Sequence, residues 1–431
     1  MAERNMPAAL RFMLAARRCD LQGLEELVHT CKLVSNIAQL VHALQKERGY
    51  SNIYLGRNAT HYRTELDQFS EEGDAQERIV RSGFELMDLD AVGSAERGRL
   101  YIRIAHVLYS LESLGSLRRR IRDHQISARD ATAAFTQLIG GLLAVVFEAA
   151  DSAADPEITR SLVALFNFMQ GKELAGQERA TGVAGFAQGY FDDEHKQRMQ
   201  SLIDNQERSF EVFLRYASDD AKARWQVICT NEVQTQTEGF RKIAANTHPA
   251  ASVDTGLCEF WFEMQTQRIN AMQALEQYLT QQLQEQCKNS IREIRDEVSS
   301  HRRLLGQLAE QHLPLEQARL FSLQAGDITP QPQDVMPTQV SRSILDLLQL
   351  QTRQLQQAND ELTEARASLN ERKLIDRAKH LLMSESGLSE NEAHAKMQRS
   401  AMDGGVRMVD VAQRLIAAAE RVKNGPRTTR A

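Results

Sequence analysis

The sequence predicts an all-α protein, and three observations lead there. Apolar residues recur at helical spacing through most of the first 320 positions, as at Leu33, Ile37, Leu40, Val41 and Leu44. Strand-like alternation is not evident. Gly (23), Pro (8) and aromatic residues (6%) are few, while Leu, Ala, Gln, Glu and Arg abound, a usage that suits helices and gives sheets little to work with. With 431 residues, 42% of them apolar and 26% charged, the chain has globular composition and a length that implies two or three folded units.

Taken in order, residues 8 to 320 are cut by breaks near Gly56 to Ala59, Glu72 to Gly73, Asp151 to Pro156, Ala217 to Asp220 and Thr247 to Thr255. They cut the stretch into long helices joined by short connections, the pattern of antiparallel bundles, and roughly eight helices are read there in all. The region exceeds one four-helix bundle, so two packed bundles or one extended bundle are expected. Gln324 to Val340 carries Pro330, Pro332 and Pro337 with little apolar content and reads as a linker. Beyond it, Leu348, Leu355, Leu362 and Leu369 fall seven apart, the spacing of a coiled-coil seam, which predicts a homodimer. A single amphipathic helix packed on its own domain is the other reading of that pattern.

Three shorter helices close the chain. The first runs from Leu369 to Met383 and stops at Gly387; Ser389 and Glu392 form a capping box for the second, which ends at Gly404 and Gly405. The third spans about Met408 to Val422. Ile375, Ala378, Leu382, Ala393, Met397, Ala401, Met408, Val411, Ala412 and Leu415 are expected to meet in one small core.

Several functions are disfavoured at this stage. The longest uninterrupted apolar stretch, Leu138 to Phe147, falls short of the roughly 18 to 20 residues that cross a bilayer. The N-terminus has arginines but no apolar block with a cleavage site, so a cytoplasmic protein is expected. Cys19, Cys31, Cys229, Cys258 and Cys287 form no CxxC pair and read as buried free thiols in a reducing compartment. Nucleotide-binding and hydrolase motifs are missing, and one Glu-x-x-His pair, Glu26 with His29, is too little for a di-iron bundle. The reading is therefore not an enzyme, with no metal and no cofactor. Net charge is -6, yet residues 365 to 431 hold 13 Lys+Arg against 8 Asp+Glu. That basic end points to a polyanionic partner, a solvated helical surface being the plainer explanation.

Arginine occurs where apolar residues are expected. Arg48 follows Leu44 by four residues and continues the stripe to Ser51 and Leu55, so its guanidinium points along the buried face. Arg179 shares a face with Met169, Gly176, Val183 and Phe186; Arg268 lies among Trp261, Met264, Met272 and Leu275; Arg241, after Phe240, is less clearly inward. Buried guanidinium groups must meet carboxylates, carbonyls or a bound anion. An internal ion pair of Arg48 with Glu47, Glu178 or another acid is the structural possibility. A small planar oxyanion is the functional one, because the fixed fork of N–H donors suits flat oxygen acceptors.

At these residues a resemblance emerges. LVHALQKERGYSNIYLG (Leu40 to Gly56), KELAGQERATG (Lys172 to Gly182) and WFEMQTQRI (Trp261 to Ile269) resemble the NIT domain, a nitrate- and nitrite-sensing helical module, over about residues 24–283. The run from Leu369 to Ile416, with its Ala-Lys-x-x-Leu-Met string, capping box and Asp-Val-Ala, resembles an ANTAR RNA-binding domain, and together with the heptads it occupies residues 344–420. The combination is similar to nitrate-responsive transcription antiterminators. It implies a pair of packed four-helix bundles holding nitrate or nitrite, as signal ligand, through Arg48, Arg179, Arg241 and Arg268. It further implies binding of leader-RNA hairpins by the C-terminal module. Lys373, Arg377, Lys379, Arg399 and Arg407 are the RNA-contact candidates; no aromatic residue is available there for base stacking. His380 stands where ANTAR domains usually have Gly, on what is expected to be a surface turn. A C-terminal module that binds a protein instead of RNA is the alternative.

Overall fold

The computed structural model describes residues 8–57, 62–87, 95–152, 155–248, 252–310, 371–388, 390–404 and 406–424. The 324–340 linker, the four heptad leucines, Ser389 of the capping box and Gly405 lie outside them. Two compact units divide the chain, residues 1–361 and 362–431. No β-strand occurs among the described residues.

The first unit contains α1 (Ala8–Arg57), α2 (Arg63–Glu85), α3 (Ala95–Glu112), α4 (Leu114–Arg122), α5 (Ala128–Ser152), α6 (Pro156–Gln188), α7 (Asp193–Tyr216), α8 (Asp219–Cys229), α9 (Glu232–Asn246) and α10 (Leu257–Glu310). Eight rods were expected, and the two further helices arise because two rods are broken. Ser113 separates α3 from α4, and Thr230 with Asn231 separates α8 from α9. Neither break carries Gly or Pro. The Asn231 side chain accepts from Gln234 N at 2.9 Å and so starts α9 locally. Counted as rods, α1, α2, α3 with α4, and α5 form one set of four, and α6, α7, α8 with α9, and α10 form the other. They meet where α1 lies against α6 and α10 and where α5 lies against α6.

One expected break is overturned. Helix α2 runs straight through Gly73. The glycine serves packing instead of a turn, since a Cβ there would fall 2.6 Å from Arg118 Nη2. The break before α6 is real: Asp155 accepts from Ile158 N, Pro156 occupies the first turn, and Gly189 closes the helix at φ 82.

Helix α5 is more apolar overall than its longest uninterrupted apolar stretch suggests. Ala128–Asp151 is long and apolar enough, by length and composition, to cross a membrane. In this fold it is a core helix instead. Ala131, Phe135, Ile139, Leu142 and Val146 are buried along it, and it packs on α1, α3 and α6. Cysteine exposure differs from expectation as well, because Cys19 is exposed and Cys229 half-buried. Cys31 of α1 and Cys287 of α10 are both buried, with their Sγ atoms 3.1 Å apart.

In the second unit, α11 (residues 371–386), α12 (Glu390–Gly404) and α13 (Met408–Asn424) surround one apolar centre. Of the residues expected there, Ala378, Leu382, Ala393, Met397, Ala401, Val411 and Ala412 are buried in it together with Ile416, while Ile375, Met408 and Leu415 are partly buried and pack against it. Gly387, at φ 64, ends α11 as its position implied.

Candidate functional site

The four inward arginines cluster along α6, and their neighbours come from α1, α5, α7, α9 and α10. Arg48, Arg179 and Arg268 are buried, and the Arg241 side chain is 10% exposed. Arg241 is thus inward, although its sequence signal was weak.

Arg48 reaches from α1 to α6. Its Nη1 and Nη2 donate to the two oxygens of Glu173, the second at 3.1 Å, and Nη1 also donates to Thr136 Oγ1 at 3.0 Å. Neither Glu47 nor Glu178 is its partner. Glu47 accepts from Arg118 Nε and Nη2 at 2.7 and 2.9 Å, facing the other way into the first set of rods. Glu173 is completed by Gln45 Nε2 at 2.8 Å and Gln177 Nε2 at 3.0 Å. It lies in the Lys172 to Gly182 string, three residues before Gly176 and therefore on the same helical face. That spacing was a usable signal.

Glu178, one residue before Arg179, gathers the other two arginines. Arg241 donates to both its oxygens at 2.7 and 2.8 Å, Arg268 Nη1 at 3.1 Å and Gln206 Nε2 at 2.7 Å. Burial alone raises this carboxyl's pKa. The hydrogen bond and charge of Arg241, then the charge of Arg268 and the amide of Gln206, outweigh burial and hold it below the usual range. Arg241 is also tied to Glu238 at 2.7 Å.

Arg179 differs from the other three. Its Nη1 donates to Thr266 Oγ1 at 2.9 Å and Nη2 to the Gln45 backbone oxygen at 3.0 Å, and its guanidinium lies over the Phe262 ring, 5.1 Å from the centroid. Among the described residues no carboxylate touches it. Burial, followed by the charge of Arg48, pushes its pKa down to about 10, so it is still a cation at neutral pH. Trp261 fixes the same point on α6, donating from Nε1 to the Arg179 backbone oxygen at 2.9 Å.

Glycines supply the space. A Cβ on Gly49 would lie 2.1 Å from Arg179 Nη2, and one on Gly176 would lie 2.5 Å from Arg48 Nη2. Each arginine is seated on the glycine of the opposing helix. Two further polar features were not anticipated. Lys172 and Glu276, both fully buried, pair at 2.9 Å between α6 and α10, and burial drives each toward its neutral form. His42, pushed down to about 2 by burial and then by Lys172, Lys46 and Arg179, is neutral. Among the described residues, buried Arg48 Nε, Ser51 Oγ and Gln45 Oε1 have no hydrogen-bond partner.

In the second unit Arg377, Arg399 and Arg407 are exposed, and Lys373 and Lys379 half-buried. Lys379 pairs with Asp376 at 2.8 Å, and Arg407 with Glu371 at 3.0 Å. His380 is exposed on α11. Of the apolar letters of the Ala-Lys-x-x-Leu-Met string, Ala378 and Leu382 are core positions and Met383 packs against that core. That motif is therefore mainly a packing signature.

A long-helix bundle with arginines buried at its centre is followed in the chain by a small basic three-helix module, the arrangement of a two-module regulator in the proteins it resembles. Comparison with known proteins specifies it. Residues 39–284 match the NIT family, nitrate and nitrite sensing, and residues 363–416 match the ANTAR domain. Over 423 residues the chain is 34% identical to a nitrate regulatory protein of Klebsiella oxytoca, covering 96% of each. The solved structure of the NasR transcription antiterminator matches at a TM-score of 0.59 and 32% identity, over 96% of this chain and 100% of that one. The chain belongs to the NIT–ANTAR family of nitrate-responsive transcription regulators. Both matched modules are regulatory, not catalytic.

Proposed function

We propose that the protein is a cytoplasmic antiterminator that binds nitrate or nitrite in its first unit and, in response, binds leader-RNA hairpins through its second. Arg48 and Arg179 hold the anion in this reading, with Arg241 and Arg268 forming the rest of the cluster around Glu178. The observation that carries it is Arg179, a buried guanidinium without a carboxylate, beside a second guanidinium. Such a group gains most from an incoming anion, because the cost of its burial is only partly offset by neutral acceptors. Glycine seats keep the space small, which suits a planar oxyanion of a few atoms.

Lys373, Arg377, Lys379, Arg399 and Arg407 supply the phosphate contacts, and the protein acts as a homodimer. A ligand shifts the balance between resting and RNA-binding forms only by its differential affinity for them, so the anion must bind the active form more tightly. Calorimetric titration of nitrate into the full chain, with chloride as control, tests the sensor. Saturable heat that disappears in Arg48→Ala and Arg179→Ala variants of unchanged helicity is expected. Wild-type protein giving no heat beyond chloride would sink the reading. RNA retention that ignores nitrate would remove the coupling.

A further inference from the structure

Counted by direct ion pairs among the described residues, the arginine cluster is one negative charge short. Four arginines, Arg48, Arg179, Arg241 and Arg268, face three carboxylates: Glu173 on Arg48, Glu178 shared by Arg241 and Arg268, and Glu238 on Arg241 at the rim. The neighbouring Lys172 and Glu276 compensate each other, and His42 carries no charge at neutral pH. Glu173 is held from four directions, by both Nη atoms of Arg48 and by the amides of Gln45 and Gln177. It is thus a fixed internal anion placed on one of the two arginines that the proposed site offers its ligand.

We propose that Glu173 sets the charge of the ligand. By neutralising Arg48 in place, it leaves one positive charge to be matched, so a monoanion completes the cluster and a dianion overfills it. In a buried site, where screening by water is weak, one surplus unit charge discriminates strongly. The selectivity therefore lies in a residue that need not touch the ligand at all. This inference rests on the reading of Arg48 and Arg179 as the anion site.

The test compares nitrate and sulfate binding, at fixed ionic strength, to the full-length wild type and to Glu173→Gln. Glutamine keeps the shape and an acceptor for Arg48 but removes the charge. Wild-type protein is expected to bind nitrate and refuse sulfate. In Glu173→Gln the preference for nitrate over sulfate should fall by about tenfold or more, the scale of one buried charge. A second variant, Gln177→Glu, adds a carboxylate beside Glu173 and should weaken nitrate binding by a similar factor.

A folded Glu173→Gln protein with the wild-type preference overturns the proposal. So does one that binds neither anion with helicity intact, since Glu173 would then only position Arg48. Should that variant not fold, Gln177→Glu decides, and unchanged nitrate affinity there counts against the idea. Wild-type protein that takes sulfate as readily as nitrate overturns it without any variant. No nitrate binding by the wild type would instead mean that the site reading itself has failed, and the inference falls with it.

Discussion

Arg179 occupies the space that a side chain at Gly49 would fill, with its Nη2 only 2.1 Å from where a Cβ would stand. The reciprocal seat, Arg48 against Gly176, lies on the same pair of helices. Two ordinary helical glycines are thereby part of the electrostatic design. Each lets a guanidinium lie against opposing backbone instead of being held off by a methyl group.

Gly49→Ala should therefore displace Arg179. Better helix propensity contributes about 1 kcal/mol, and overpacking costs about 1 to 3 kcal/mol, so net stability should fall by no more than about 2 kcal/mol. Nitrate affinity, in contrast, should drop by roughly tenfold or more, the loss expected when a charged contact is misplaced. Urea denaturation and calorimetry on one preparation separate the two effects. Affinity that stays at the wild-type level would show that Arg179 does not need its seat.

Glu178 is the counter-ion of two buried arginines, and Glu178→Ala should destabilise the first unit by about 3 to 5 kcal/mol in urea denaturation. The pH dependence follows in sign. Its folded pKa lies below the ordinary value of 4.5, so its stabilisation is complete above that value and is lost as pH falls through the lower, folded one. Denaturation midpoints measured downward from neutral pH should decline more steeply for wild type than for the variant. Parallel curves would contradict the assignment.

Lys172 and Glu276 offer a test of buried pairing. Lys172→Met alone strands a fully buried carboxyl and should cost about 3 to 5 kcal/mol, while Lys172→Met with Glu276→Leu should recover most of it. A double mutant as unstable as the single one would mean that the two residues do not act as a pair.

For the second unit, Arg399 is exposed on α12. If it contacts a phosphate, Arg399→Ala should weaken binding to a leader hairpin uniformly across loop sequences. It should also lower the slope of log affinity against log salt by about 0.7 to 1. Equal slopes for the two proteins would remove Arg399 from the interface.

The C-terminal core could be read almost residue by residue, because three short helices with well-marked stops leave few ways to bury Ala378, Leu382, Met397 and Ala412 together. Gly73 misled for a physical reason. Glycine marks a turn in one context and a close approach in another, and only the position of Arg118, on a helix far along the chain, tells which. Helix breaks at Ser113 and at Thr230 were illegible because neither Gly nor Pro announces them.

The sequence by itself determined that the protein is helical, where its basic module lies, and that Arg48, Arg179 and Arg268 point inward, because helical periodicity reports which face is covered. Only the tertiary structure decided what covers it. Arg48 meets Glu173 at a separation of 125 residues and Arg241 meets Glu178 at 63, and periodicity carries no information across such distances. Packing the rods gave three arginines their carboxylates and left Arg179 with neutral acceptors. That difference comes from which helices touch, not from any local pattern around the arginines.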